Sequence, residues 1–437
     1  MKNFFKKTII HIITLQARFV LWRRKPKIIA VTGSVGKTTA KDAIFTALQS
    51  SVTIRKNEKS FNSEIGVPLT ILGLPTAWGN PFAWAVTIVR GFLVMFSLKK
   101  YPKWLVLEAG IDRPFDMENL VKWLKVDVAV FTIFPTTPVH VEYFSSPEAV
   151  WDEKIKLADG LTKDGIIIAN GDDENVMKKV RLYKKRMFTF GCSATADVDV
   201  RALPYEYVYE NDAVSGITFK IEHNNNTLPV NMMGVIGKQH VYPALAAITA
   251  GVAIGLNPVT LVDALRTHVA PRGRMNVFPG INGSTIIDDT YNSSPIALEV
   301  ALDTLADVKV EKNNGRKIAI IGDMLELGSV SPASHETAGK HVAKEKFDVL
   351  VTVGVRAKGI AEAAIADGMS PDAVFSYPDS KDQEMQSDIK DMIQKGDVVL
   401  VKGSQGSRME RISKVLLSPE IDPLTALVRQ ESVWDVR

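Results

Sequence analysis

The chain has 437 residues, 46% of them hydrophobic and 23% charged, which excludes a fibre or a disordered chain and suits a soluble protein of two or three domains. A net charge of +4 over this length, with no RNA- or DNA-binding signature, argues against a nucleic-acid partner. One cysteine, Cys192, excludes a disulfide framework and a cysteine-cluster zinc site, so a cytoplasmic location is expected.

Residues 1–26 mix apolar positions with Lys2, Lys6, Lys7, Arg18, Arg23, Arg24 and Lys25, and they predict an uncleaved basic amphipathic helix. Phe5, Ile9, Ile12, Ile13 and Phe19 can share one face of it. Two readings stand: the helix lies in an anionic membrane surface, or it packs on its own domain. From Lys27, the run KIIAVT predicts a strand, GSVGKTT a glycine-containing loop, and the residues from Lys37 a helix. An apolar insertion follows at about 78–103. It is short for a membrane span and carries Arg90 near its middle, so it reads as a buried helix or a second interfacial element.

WLVLEA, DVAVFTIF and GIIIAN continue the strand series and imply a parallel sheet flanked by helices. Between Asp197 and Met233 the pattern changes to two strands around an Asn-rich turn, a small β subsheet. A second strand series (STIIDD, KIAIIGD, DVLVTVGV, AVFSY, DVVLVKGS) predicts a Rossmann-like C-terminal domain. The expected fold is therefore α/β. It comprises a P-loop-type central domain over 27–269 and a Rossmann-like domain over 270–437, joined by a hinge at HVAPRGR whose closure completes the site.

The loop after KIIAVT is built to hold phosphate. Gly33 and Gly36 let backbone N–H groups turn inward, the helix N-terminus adds a positive dipole, Lys37 reaches the β and γ phosphates, and Thr38 offers a hydroxyl to Mg²⁺. Ser34 and Thr39 belong to the same nucleotide-binding stretch. Val31 stands where the full P-loop pattern has a glycine, so this is a shortened variant. Glu108 closes an apolar strand at its carboxyl end, where open α/β sheets place their sites.

SFNSEIGVPLTIL, LVLEAGIDRPFD, HVEYF, EKIKL, APRGRM, IIDDTYNSSP, IIGDMLELG with His335, and LVKGS occur in this order. Together they resemble the Mur ligase family of ATP-dependent amide-forming enzymes of peptidoglycan precursor synthesis. The resemblance implies ATP and Mg²⁺ as cofactors, a peptidoglycan precursor with D-alanyl-D-alanine or a similar amine as partners, and catalytic roles for Lys37, Glu108, His140, Lys154 and Arg274. It further implies Thr38, Glu108, His140 and a carbamylated Lys154 as metal ligands, and Arg274, Asp289, Tyr291 and Asn292 at the nucleotide. Asn62, Ser63, Asp323, Glu326 and Lys402 would hold the other substrates. Asp288 could serve in place of Asp289, because adjacent residues on a strand face opposite ways. The family's adenine-reading Asn is not matched: Pro243 occupies its place, with Gln239 and His240 displaced.

About two dozen residues precede the P-loop strand, too few for a separate domain gripping a UDP-linked precursor. An acceptor held by other surfaces, by a partner protein, or by a lipid link is expected in its place. A monomer with peripheral membrane contact is expected. A competing reading of another class is a membrane-attached ATPase switch without ligation.

Overall fold

Residues 2–57, 64–77, 80–136, 143–310, 315–431 and 434 are described by the computed structural model, residues 2–5 by their backbone alone. The chain separates into two units. The first comprises 1–204, 219–230 and 241–268, and the second 205–218, 231–240 and 269–437.

In the first unit the apolar runs form a parallel sheet in the order β2–β3–β1–β4–β5–β6: β1 is Lys27–Thr32, β2 Ile54–Lys56, β3 Trp104–Glu108, β4 Val126–Phe131, β5 Leu161–Asn170 and β6 Arg186–Gly191. Ile28 to Thr32 and all of β3 are buried, as expected for strands covered on both faces, and this is why they read as continuous apolar runs rather than alternating ones. The sheet continues through β7 (Val200–Ala202) to an antiparallel addition. There β8 (Glu206–Glu210) pairs with β9 (Ala213–His223), and β10 (Asn226–Met233) follows the turn at Asn224 and Asn225. Both turn residues have positive φ, 47° and 60°, a conformation that Asn tolerates better than most side chains.

Helices of this unit include α1 (Lys2–Arg24), α2 (Lys37–Gln49), α3 (Gly66–Leu72), α4 (Pro81–Phe96) and α5 (Asp116–Val121). Helix α1 takes one of its two expected courses and packs on its own unit. Ile9, Ile13, Ala17 and Val20 are buried in the core beside Val67, Leu69, Leu105 and Leu107. Helix α4 is the apolar insertion. Among the described residues no helix is long and apolar enough to cross a membrane.

The second unit holds a six-stranded sheet in the order β11–β12–β16–β13–β14–β15. Here β11 is Asn276–Pro279, β12 Thr285–Asp289, β13 Lys317–Gly322, β14 Val349–Val353, β15 Val374–Tyr377 and β16 Val398–Lys402. All pairs are parallel except β11 with β12. Its core is drawn from Ile286, Ile318, Ile320, Val351, Val399 and Val401 of the strands and Met409, Ile412 and Leu416 beyond β16.

Candidate active site

In the first unit the loop between β1 and α2 is pinned from behind by the end of β4. Ser34 N donates to the Ile133 carbonyl at 2.8 Å and Thr132 Oγ1 donates to the Val35 carbonyl at 2.7 Å. Gly33 has φ 149°, and a Cβ there would fall 2.0 Å from Thr132 Oγ1, so only glycine fits between loop and strand. Gly36 caps α2 with φ 82° and open space where a Cβ would be. The next three residues, Lys37, Thr38 and Thr39, form the first turn of α2, whose N–H groups have no acceptor within the helix. Lys37 Nζ donates to the Ser34 carbonyl at 3.3 Å. The Ser34 and Thr32 hydroxyl oxygens are buried without a hydrogen-bond partner among the described residues. A loop of inward N–H groups with orphaned hydroxyls is an anion cradle.

Glu108 sits at the end of β3, in register with Val31, and is buried. Its Oε2 accepts from Thr38 Oγ1 at 2.9 Å, so the strand-end carboxylate and the helix-start hydroxyl converge on one point. Lys154 lies on α6 (Pro147–Ile155) and is 1% exposed. Burial, with the neighbouring Lys37 charge, pushes its ammonium down from 10.5 to about 7, while Asp112 opposes the shift. Its neighbour Glu153 fixes the helix in place: Oε1 accepts from Met117 N and Glu118 N at the start of α5, and Oε2 pairs with Lys156 at 3.0 Å. His140, Asn62 and Ser63 lie outside the described residues.

One cation here was not singled out from the sequence. Lys41, one helical turn beyond Lys37, is 1% exposed, donates to the Asn57 carbonyl at 3.2 Å and lies 3.5 Å from Asp42. Burial lowers its pKa, while Asp42 and Glu108 pull the other way. The only signal in the sequence is its place on the apolar face marked by Ala40, Ile44 and Leu48.

In the second unit, the choice between Asp288 and Asp289 resolves by facing. Asp288 is fully buried and accepts from Thr290 Oγ1 at 2.8 Å and Ser413 Oγ at 2.7 Å, and burial raises its pKa to about 7. Asp289 turns the other way, with Oδ2 2.5 Å from Lys402 Nζ and Oδ1 accepting from Met275 N. Lys402 also donates to the Asn292 carbonyl at 3.1 Å. This lysine is thus an internal tie between β16 and the loop after β12. The Tyr291 ring carries the Arg274 guanidinium at 4.1 Å and the Arg429 guanidinium at 5.7 Å from its centroid, so two cations already occupy it. His240 holds the Arg274 carbonyl through Nε2 at 2.9 Å, and burial lowers its pKa to about 4, which keeps it neutral. Pro243, which belongs to the first unit, is buried in the helix Val241–Ala253.

Asp323 Oδ1 accepts from Arg356 N at 2.9 Å and Ala357 N at 2.7 Å, ahead of the helix Lys358–Ala366. Glu326 is exposed with φ 62° in the loop after β13. His335 is buried and accepts from Met324 N through Nε2 while its Nδ1 contacts the Ser331 carbonyl at 2.8 Å, so it secures that loop from beneath.

Two family models match: the Mur ligase middle domain over residues 89–251, and the Mur ligase, glutamate ligase domain over 273–405. The chain is similar to UDP-N-acetylmuramoyl-tripeptide--D-alanyl-D-alanine ligase of Bacillus subtilis, 28% identical over 90% of this chain and 76% of that protein. The same-named ligase of Buchnera aphidicola is 25% identical over 83% of this chain and 72% of that protein. In fold it is similar to the MurF ligase of Thermotoga maritima solved in complex with ADP, with TM-score 0.73 and 24% identity over 93% of this chain and 83% of that one. The folylpolyglutamate synthase of Mycobacterium tuberculosis shares the fold at TM-score 0.60 and 14% identity, over 94% of this chain and 96% of that one. With two successive domain models matched in order over residues 89–251 and 273–405, the chain belongs to the Mur ligase family.

Proposed function

We propose that this chain is an ATP- and Mg²⁺-dependent carboxylate–amine ligase that joins D-alanyl-D-alanine, or a similar amine, to the carboxylate of a peptidoglycan precursor stem peptide. The observation that carries the reading is the convergence of the Thr38 hydroxyl and the Glu108 carboxylate at the mouth of the Gly33–Gly36 loop. The relatives named for ligation of D-alanyl-D-alanine to UDP-N-acetylmuramoyl-tripeptide supply the substrate class.

The donor set fits a hard cation, since a carboxylate and a hydroxyl offer only oxygen. Mg²⁺, when bound, supplies positive charge to the phosphate oxygens. The loop N–H groups and Lys37 hold and orient the ATP phosphates so that the substrate carboxylate can take the terminal phosphoryl group, with ADP leaving. The amine then attacks the acyl phosphate carbon, and the C–O bond to phosphate breaks as the amide forms and the nitrogen gives up its proton. A near-neutral Lys154 is nucleophilic enough to add carbon dioxide, releasing a proton and leaving a carbamate that offers another oxygen to the metal. His140 is the proposed ligand to a second ion, and Asn62 and Ser63 the proposed contacts to the acceptor. In the second unit Arg274 is assigned to phosphate, Asp289, Tyr291 and Asn292 to the nucleoside, and Asp323 and Glu326 to the amine donor, while Lys402, closed on Asp289 and the Asn292 carbonyl, holds that loop in place. The ligase regions are proposed to run over 27–269 and 270–437, in a cytoplasmic monomer that touches the inner face of the membrane.

The test is phosphate release from ATP and Mg²⁺ with UDP-linked muramoyl tripeptide, D-alanyl-D-alanine, both or neither, with product mass read in parallel. Release only with both, and a gain of one dipeptide, is expected. Release that neither substrate alters would overturn the ligase in favour of an ATPase switch.

A further inference from the structure

Helices α1 and α4 carry their apolar residues in opposite ways. The stripe of α1 faces inward, and the side chain of Gln16 reaches α4, donating to the Ile88 carbonyl at 2.9 Å above Gly91, where any Cβ would fall 2.1 Å from Gln16 Oε1. Arg23 donates to the Met95 carbonyl at 2.5 Å and Arg24 to the Ser97 carbonyl, so two cations close the carbonyl end of α4. Helix α1 is therefore the support on which α4 is mounted.

On α4 itself the two buried residues are Thr87 and Gly91, while Phe82 (78% exposed), Val86, Val89, Leu93 (67%) and Phe96 (66%) point outward. Their spacing of four, three, four and three residues makes a continuous ridge. Trp22 and Leu98, 70% and 91% exposed, extend it, and Phe19 joins the two helices with ring centroids 5.6 Å from both Trp22 and Phe96. A folded soluble surface rarely leaves such a contiguous apolar patch open.

The rim of this ridge has one sign. Arg18, Lys25, Arg90, Lys99, Lys100 and Lys103 are exposed, and residues 2–27 and 80–103 contain no Asp or Glu. Nearby Glu64 is paired with Lys6 at 3.1 Å. A second copy of the chain would bring two cationic rims together, which electrostatics opposes. A bilayer surface with anionic headgroups satisfies both features at once. Sixteen helical residues span about 24 Å, short of a hydrocarbon core of about 30 Å, and Arg90 sits mid-helix at the edge of the ridge, where its stem can rise to the headgroups.

We propose that α4 is a membrane-docking helix that lies in the plane of an anionic lipid surface, with Phe82, Val89, Leu93 and Phe96 in the acyl boundary and Lys99, Lys100 and Lys103 on the headgroups. It rests on the peripheral contact proposed above, and assigns that contact to α4 rather than to the stripe of α1.

The test is co-sedimentation of the whole chain with vesicles of phosphatidylcholine alone or enriched in phosphatidylglycerol, at low and high salt. Binding to the anionic vesicles, loosened by salt, is expected. Leu93→Ser with Phe96→Ser should weaken it at least tenfold, and Lys99→Glu with Lys100→Glu by about fivefold per charge. These positions are exposed, so melting temperature and phosphate release without vesicles should match the parent. That comparison separates failure of the membrane assignment from failure of the ligase. Three results would overturn the assignment: parent protein left in the supernatant with anionic vesicles at low salt, equal binding to both vesicle types, or lipid-free dimers that the Ser pair dissolves.

Discussion

Around the P-loop, cations crowd together, with Asp42 beside one of them. Lys37, Lys41 and Lys154 surround the region of Glu108, two of the three with ammonium pKa values pushed down by burial. At the ends of β12 and β16 the pattern is reversed: Lys402 and Asp289 close on each other at 2.5 Å, and Asn292 takes a further proton of the lysine. A group of cations held together in the folded protein stores repulsion that an incoming polyanion relieves, whereas a closed ion pair already has its partner. The first cluster is arranged for a ligand and the second for cohesion.

The largest expected effect separates the two. Lys402→Met strands the buried Asp289 carboxylate and should cost about 3–5 kcal/mol in a denaturant titration. Lys37→Ala should leave stability within about 0.5 kcal/mol of the parent and lower kcat by about 10²- to 10³-fold. If the stability loss fell on Lys37 and the rate loss on Lys402, the comparison would be reversed.

Lys154 sharpens it through pH. Its pKa is about 7 when folded and near 10.5 when unfolded, so between those values the unfolded chain binds more protons and stability rises with pH. The penalty for holding the ammonium is fully present below pH 7. One proton gives a slope of at most about 1.4 kcal/mol per pH unit across that window. Lys154→Met should flatten this part of a stability–pH profile, and an unchanged slope would mean that the amine is not held in its neutral form.

Whatever is local in the chain could be read from it. KIIAVT followed by Gly33, Gly36 and Lys37 dictates strand, loop and helix start within eleven residues of one another, and Glu108 follows from its place at the end of an apolar run. What depends on distant packing could not. The stripe of α1 has the same period whether it meets lipid or the core, and nothing in residues 81–96 says that Thr87 and Gly91 face inward while Phe82 and Phe96 face out. Alternation told that Asp288 and Asp289 diverge, but Ser413, far along the chain, decides which of them is enclosed. Lys41 was hidden for the same reason, since its burial depends on Asn57 and the chain around β2.

The smallest predicted effect concerns Asp323, a carboxylate with two candidate duties. Its Oδ1 receives two backbone N–H groups in the turn ahead of the helix Lys358–Ala366, tying that turn to the loop after β13. Removing such a hydrogen-bond acceptor costs about 1 kcal/mol, so Asp323→Ala should lower stability by that amount, and Asp323→Asn, which keeps an acceptor oxygen, should recover most of it. A role at the amine donor would behave differently, because an ammonium responds to the charge of the carboxylate and not merely to an acceptor atom. Asp323→Asn would then raise KM for D-alanyl-D-alanine while sparing the melting temperature. Measuring both quantities on both variants therefore decides whether this loop belongs with the cohesive cluster beside it or carries ligand contacts of its own.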